Sequence, residues 1–143
     1  MNITAASPTA RTRGSIGSID PVRAAGAVMI LLGGAIHLQQ YWRVFDSQDI
    51  GLTFLANAIV SLLVGIALLA WVGAVPAIIG VVLSVGSLVA LLASRTTGLL
   101  GFEAVGYDVA EYDAVVVEVA AVILLVWSMV RARTVRSTGR RDI

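Results

Sequence analysis

Four stretches of the chain, 24–42, 51–72, 77–94 and 113–130, are composed mainly of Ala, Val, Leu, Ile and Gly, and the one ionisable acid or Arg well inside any of them is Glu118. Each is close to the roughly 20 apolar residues an α-helix needs to cross the hydrocarbon core of a bilayer. Lipid offers the backbone no hydrogen bonds, so such a segment must satisfy its own amides and carbonyls as a helix. The four stretches occupy most of a chain of 143 residues, 58% hydrophobic and 13% charged. A water-soluble domain of that composition would leave too much apolar surface in contact with water. The expected fold is therefore an all-α membrane protein, a four-helix transmembrane up-down bundle occupying 23–130 as one domain.

The segments between the spans set the connectivity. Residues 1–22 are rich in Ser, Thr, Ala and Gly, lack apolar periodicity and read as a disordered cytoplasmic tail. Gly73 and Pro76 follow the second span directly, which leaves room only for a tight antiparallel hairpin into the third. Residues 95–112 form the longest internal loop, and its apolar GLLGF is too short to span; it reads as an interfacial turn or a lid. Residues 131–143, RARTVRSTGRRDI, read as a basic cytoplasmic tail. A competing reading makes the first apolar run the core of a cleaved signal peptide, with Gly33 and Ala35 near the cut. Its leader is long for that purpose, and cleavage would leave an odd number of spans.

Charge supplies an orientation. Arg11, Arg13 and Arg23 precede the first span, and Arg131, Arg133, Arg136, Arg140 and Arg141 follow the fourth. Asp46, Asp49, Glu103, Asp108, Glu111 and Asp113 lie in or beside the other two loops, with only Arg43 and Arg95 among them. The positive-inside rule then places both termini in the cytoplasm, as an even number of spans requires. Tyr41, Trp42, Tyr107 and Tyr112 fall at the outer boundary and Trp71 and Trp127 at the inner one, as interfacial aromatics do. All ten basic residues are arginine, a bias expected of a GC-rich bacterial genome, so the expected location is an inner (plasma) membrane crossed several times.

Several function classes drop out. With no cysteine and a single histidine, the chain has no thiolate chemistry, no disulfide and no intrachain bis-histidine haem site. It contains no Walker loop, G-x-G-x-x-G, H-E-x-x-H or G-x-S-x-G pattern. The arginine-rich tail lacks interleaved aromatics, so it reads as a topology determinant touching anionic lipid and not as a nucleic-acid contact. No cofactor follows from these residues.

Polar residues within the spans carry the remaining signal, because such groups are costly in lipid unless they pack, pair or function. Thr53, Asn57, Ser61 and Gly65 recur every four residues on one face of the second helix, and Gly26, Ile30, Gly33 and His37 share a face of the first. Gly80, Ser84, Ser87 and Leu91 mark the third, and Ala114, Glu118, Ala121 and Leu125 the fourth. These small or polar stripes are expected to face one another. His37, Asn57 and Glu118 each lie about five or six residues inside the outer boundary, roughly 8 Å, and so share one layer. The expected site is a polar pocket of His37, Asn57 and Glu118 in the outward half of the bundle, with Arg95 and Tyr41 near its mouth.

That layer has two readings. As glue, Glu118 bonds Asn57 or His37, or pairs with Arg95, and fixes the register of a bundle with few large ridges. As a site, its carboxylate and imidazole exchange a proton or hold a cation, although His37 and Glu118 alone are too few for a metal centre. The leading expectation is a non-enzymatic accessory or small-ligand-binding module. The alternatives are an oligomeric proton- or cation-linked transporter, built as a homodimer or larger membrane complex, and a quinone-linked membrane redox protein using His37 and Tyr41.

The G-A-I-H-L pattern ending the first span, G-L-T-F-L-A-N opening the second, and S-R-T-T-G-L-L-G-F-E before a glutamate-bearing fourth span resemble small four-span bacterial integral membrane proteins. The resemblance runs from about Gly33 to Glu118 and implies a four-helix membrane bundle, without implying an activity. The matching positions are His37, Asn57, Arg95, Gly98 and Glu118.

Overall fold

A computed structural model describes residues 19–71, 73–103, 106 and 109–138, with side chains described as far as Thr134. Most of the expected N-terminal tail and residues 139–143 lie outside that range. Among the described residues four α-helices form the fold: α1 (Pro21–Gln40), α2 (Gly51–Ala70), α3 (Val75–Thr96) and α4 (Val109–Thr138). All four are long and apolar enough to cross a membrane. They pack side by side in sequence order, and α1 closes the ring against α4.

Local chemistry sets the helix ends. The Asp20 carboxylate accepts the Val22 amide at 3.3 Å and Pro21 supplies a fixed φ at the first helical position, so α1 begins three residues earlier than the hydropathy boundary. Trp71 leaves the helical conformation at φ −124° and ends α2, and Pro76 stands in the first turn of α3. The fourth helix begins at Val109, ahead of the apolar run, with Glu111 in its first turn, where a carboxylate opposes the helix dipole. It then continues past the apolar run to Thr138, because nothing between Val130 and Thr138 breaks a helix.

One end of the bundle is solid. Ala27, Ile30, Val64, Leu68, Ala77, Ala121 and Leu125 form a single buried cluster. Leu125 is fully buried and fills two hollows: a Cβ on Gly26 would lie 2.6 Å from its Cδ2, and one on Gly80 would lie 2.8 Å from its Cδ1. Small residues of α1 and α3 thus admit one large side chain of α4, which is how helices gain packing energy where lipid supplies no hydrophobic drive. At the same end Arg23 is buried, and its guanidinium donates to the carbonyls of Leu68, at 2.9 Å, and Trp71. An arginine counted in the sequence as a topology charge therefore also caps the last turn of α2. Outward-facing positions such as Leu52, Leu63, Val82, Leu92 and Val116 are large and exposed, as a lipid-facing surface requires.

The other end is built from the connections. After Gln40 the chain makes a π-helical turn, Tyr41–Phe45, before α2 starts. Gly51 is required at that start, since a Cβ there would lie 1.9 Å from the Phe45 carbonyl oxygen. Between α3 and α4, Leu99 and Phe102 exchange both backbone hydrogen bonds, at 2.8 and 2.9 Å, around Leu100 and Gly101, whose φ angles are +51° and +79°. This is the geometry of a two-residue type I′ turn.

Candidate functional site

The polar residues of the spans meet at the boundary between the solid and the loop-built ends. The His37 Nε2 nitrogen of α1 lies 3.0 Å from Glu118 Oε1 of α4 and 3.0 Å from Ser87 Oγ of α3. The Asn57 amide of α2 donates to Ser87 Oγ at 3.4 Å, and Ser61 Oγ donates to Asn57 Oδ1 at 3.0 Å. One connected network thus touches all four helices, with the imidazole at its centre. Ser61 and Glu118 are buried, while His37, Asn57 and Ser87 are half-buried. Among the described residues no fully buried side-chain nitrogen or oxygen lacks a partner.

Helix geometry explains the meeting. Glu118 stands one turn before Ala121 and two turns before Leu125, both at 0% exposure, so it shares the inward face of α4. Ser61 approaches α1 where Gly34 leaves room: a Cβ on Gly34 would fall 2.6 Å from Ser61 Cβ. Beneath the network a void of about 10 Å³, bordered by Ser61, Ser84 and Glu118, has room for about one water. Below that lies the apolar cluster around Ile30 and Leu68.

Above the network the bundle is hollow. A cavity of about 410 Å³ has His37, Asn57, Ser87 and Glu118 at its floor and walls that are mainly apolar. Its volume lies within the range of small-molecule sites. An aromatic series climbs one wall: His37 lies 5.4 Å from the Phe54 ring, Phe54 stacks on Phe45 at 4.5 Å and 24°, and Phe45 meets Phe102 edge-on at 5.3 Å. With Leu99, Phe45 and Phe102 cover the loop end of the cavity. The side is different. Although consecutive, α2 and α3 have the slightest of the four side-by-side contacts, and exposed Thr53, Val82 and Gly86 line the cavity where they diverge.

The sequence-selected residues divide into two groups. His37, Asn57 and Glu118 come together, with Asn57 linked to the pair through Ser87. Arg95 does not reach Glu118: it makes an ion pair with Glu111 and donates to the Gly106 carbonyl at 2.7 Å. Glu111 borders the cavity near its loop end. Tyr41 lies edge-on to Trp42 at 5.0 Å and beside Gly51, outside the cavity lining. For a metal, His37 and Glu118 remain two ligands, and among the described residues no third His, Asp or Glu joins them.

Phe45, Phe54, Phe102 and Gln40 line the cavity outside the set selected from the sequence, where Gln40 stands out only as a polar residue of the first span. The signal for Phe54 was available, since it precedes Asn57 by one helical turn and so shares its face. Gln40 stands three residues after His37 and is only 8% exposed, yet its side chain makes no hydrogen bond among the described residues. Phe45 could not have been placed, because its orientation depends on the π-helical turn, which YWRVF does not signal. Compared with known proteins, the chain matches no family model, no curated protein and no solved structure.

Proposed function

We propose that the chain is a non-enzymatic membrane module that binds one small molecule in the hollow half of its bundle. The supporting observation is the cavity of about 410 Å³ with apolar walls and a hydrogen-bonding floor. Structural glue alone needs no such space: helices held by polar bonds gain most by packing closely around them. The solid cluster beneath the floor favours a binding pocket over a conduit, since a path through one copy would have to open the packing around Leu68 and Leu125. Transport would need a rearrangement of that half or a second copy.

The orientation we propose has both termini in the cytoplasm of a bacterial plasma membrane and the cavity in the outward half. The arginines of α4 beyond Val130 lie at the solid end, whereas Asp46, Asp49 and Glu103 are exposed at the loop end, the asymmetry that the positive-inside rule reads. Reporter fusions at each terminus should both report the cytoplasm. Neutralising Arg131 and Arg133 together should weaken that bias without inverting the protein, because Arg136, Arg140 and Arg141 remain. Inversion of the double variant would assign the orientation to those two residues alone.

The binding test is mass spectrometry of the protein purified in lipid nanodiscs. A discrete small molecule should be retained by the wild type and released in Ala114→Trp, whose new ring occupies the cavity that Ala114 lines. If nothing is retained and Ala114→Trp unfolds at lower denaturant than wild type, the hollow is closed in the membrane. The network would then be glue.

A further inference from the structure

Building on the reading of the cavity as a binding site, we propose that its occupant is a neutral prenylquinone-type lipid. The ring lies in the cavity and the tail leaves between α2 and α3 into the bilayer.

The route comes first. Phe45, Leu99 and Phe102 cover the loop end, while Val82, at 66% exposure, borders the cavity on its α2–α3 side. Gly86, exposed and next to Ser87, borders the same side at the level of the network, ten residues or about 15 Å along α3 from its loop-end residue Thr96. A gap at that depth, in a helix surface of exposed Val and Leu, opens on hydrocarbon. A ligand entering there must first dissolve in the membrane. The cavity of about 410 Å³ holds a ring and the beginning of a chain but not a long prenyl tail, so the tail needs the open side.

Charge then selects the head group. His37 and Glu118 already hold each other at 3.0 Å, so each is the other's partner at the floor of the cavity. Glu111 at the loop end is paired with Arg95. A carboxylate or phosphate head would therefore lie beside Glu118 with no cation of its own, in a medium that penalises uncompensated charge. A cationic head would have to displace His37 from Glu118 Oε1. A neutral head disturbs neither pair.

Gln40 supplies the second contact. It is more than nine-tenths buried, lines the cavity and makes no hydrogen bond among the described residues. Since no fully buried side-chain nitrogen or oxygen there lacks a partner, its amide keeps a residual exposure, and the residue that carries it lines the cavity. Gln40 and His37, three residues apart, project from one face of α1. The amide donor and the Ser87–His37 pair form two polar points on a cavity that also presents the stacked Phe45 and Phe54 rings. A planar ring carrying a carbonyl oxygen at each end meets all three features. One oxygen accepts from the Gln40 amide and the other from the network, and the ring faces lie against phenylalanine.

The test uses the full chain in nanodiscs, titrated calorimetrically against empty nanodiscs with decylubiquinone, dodecyltrimethylammonium and dodecanoate. Decylubiquinone should bind saturably, about tenfold more weakly in Gln40→Leu, which removes one hydrogen bond, and undetectably in Ala114→Trp. Neither charged amphiphile should saturate. Should the tryptophan variant not fold, Gly86→Phe narrows the α2–α3 gap and should likewise abolish binding. Saturable binding of either charged probe, lost on filling the cavity, with none of the quinone, overturns the quinone proposal and leaves the binding module standing. Equal quinone binding in wild type and both cavity variants also overturns it, because the ligand would then sit elsewhere. If none of the three saturates, the quinone proposal falls, and the binding module stands or falls on whether the purified protein retains a molecule.

Discussion

At His37 one ring nitrogen has two oxygen neighbours at equal distance, Glu118 Oε1 and Ser87 Oγ, each 3.0 Å away. Nε2 has a single in-plane position for a hydrogen or a lone pair, so it donates to the carboxylate or accepts from a hydroxyl, but does not do both at full strength. Ser87 is therefore the switch point of the network: it receives the Asn57 amide and turns its own proton towards or away from the imidazole. This makes Ser87 more consequential than a small hydroxyl on a helix suggests. Ser87→Ala should cost about 1 kcal/mol, the usual worth of an interhelical hydrogen bond in a membrane protein, measured as a lower midpoint of unfolding in mild detergent. Gln40→Leu should leave that midpoint unchanged, because the amide it removes holds nothing in the unliganded fold. A loss on Gln40→Leu equal to that on Ser87→Ala would make Gln40 a structural residue and remove it from the binding argument. His37, Asn57 and Glu118 were legible in the sequence because a polar residue inside an apolar run stands out and helical rise converts position into depth. Ser87 was legible only as part of a stripe.

Among the elements, the spans were legible and their ends were not. Hydropathy marks where lipid stops, whereas capping marks where hydrogen bonds stop, and the two differ by a few residues at α1 and α4. The D-V-A-E pattern at 108–111 and D-P at 20–21 are helix-start signals that an apolar-run boundary overlooks. The π-helical turn Tyr41–Phe45 changes which side chains face inward after Gln40. It buries Phe45 against Phe54 and leaves Tyr41 outside the cavity, which is why a mouth position for Tyr41 does not follow from regular helical spacing. Arg23 carries the clearest prediction at this scale. Its guanidinium holds the carbonyls of Leu68 and Trp71 at the point where α2 has no further amides to offer them. Arg23→Leu should destabilise the bundle by about 1–3 kcal/mol, the worth of hydrogen bonds to a buried charge. It should also speed amide hydrogen exchange selectively in the last turn of α2. Uniform exchange along all four helices would mean that Arg23 acts only through charge at the membrane surface.

The whole molecule is asymmetric along its axis: one half is packed around Leu68 and Leu125, and the other encloses space beneath an aromatic cover. Both halves lie on the same four helices, so the difference comes from side-chain size. Near the solid end, glycines at 26 and 80 let Leu125 fill the middle. Near the loop end, Ala90 and Ala114 are small, and the described residues opposite them leave the cavity between unfilled. This contrast was not legible in the stripes of small residues, because small residues on facing helices produce either close approach or a hollow, depending on what stands opposite. It yields a paired test on a single helix. Ala121 is completely buried in the cluster, so Ala121→Leu must push apart well-packed neighbours and should cost about 1–3 kcal/mol. Ala114, about two turns away on the same face, borders the cavity, so Ala114→Leu should be neutral or stabilising, its added carbons gaining dispersion contacts in space that is otherwise empty. Unfolding of the two variants in the same detergent measures the difference directly. An equal loss at both positions would mean that the loop end is packed as tightly as the solid end, and that a polar layer in a closed bundle, not a pocket, is what His37 and Glu118 build.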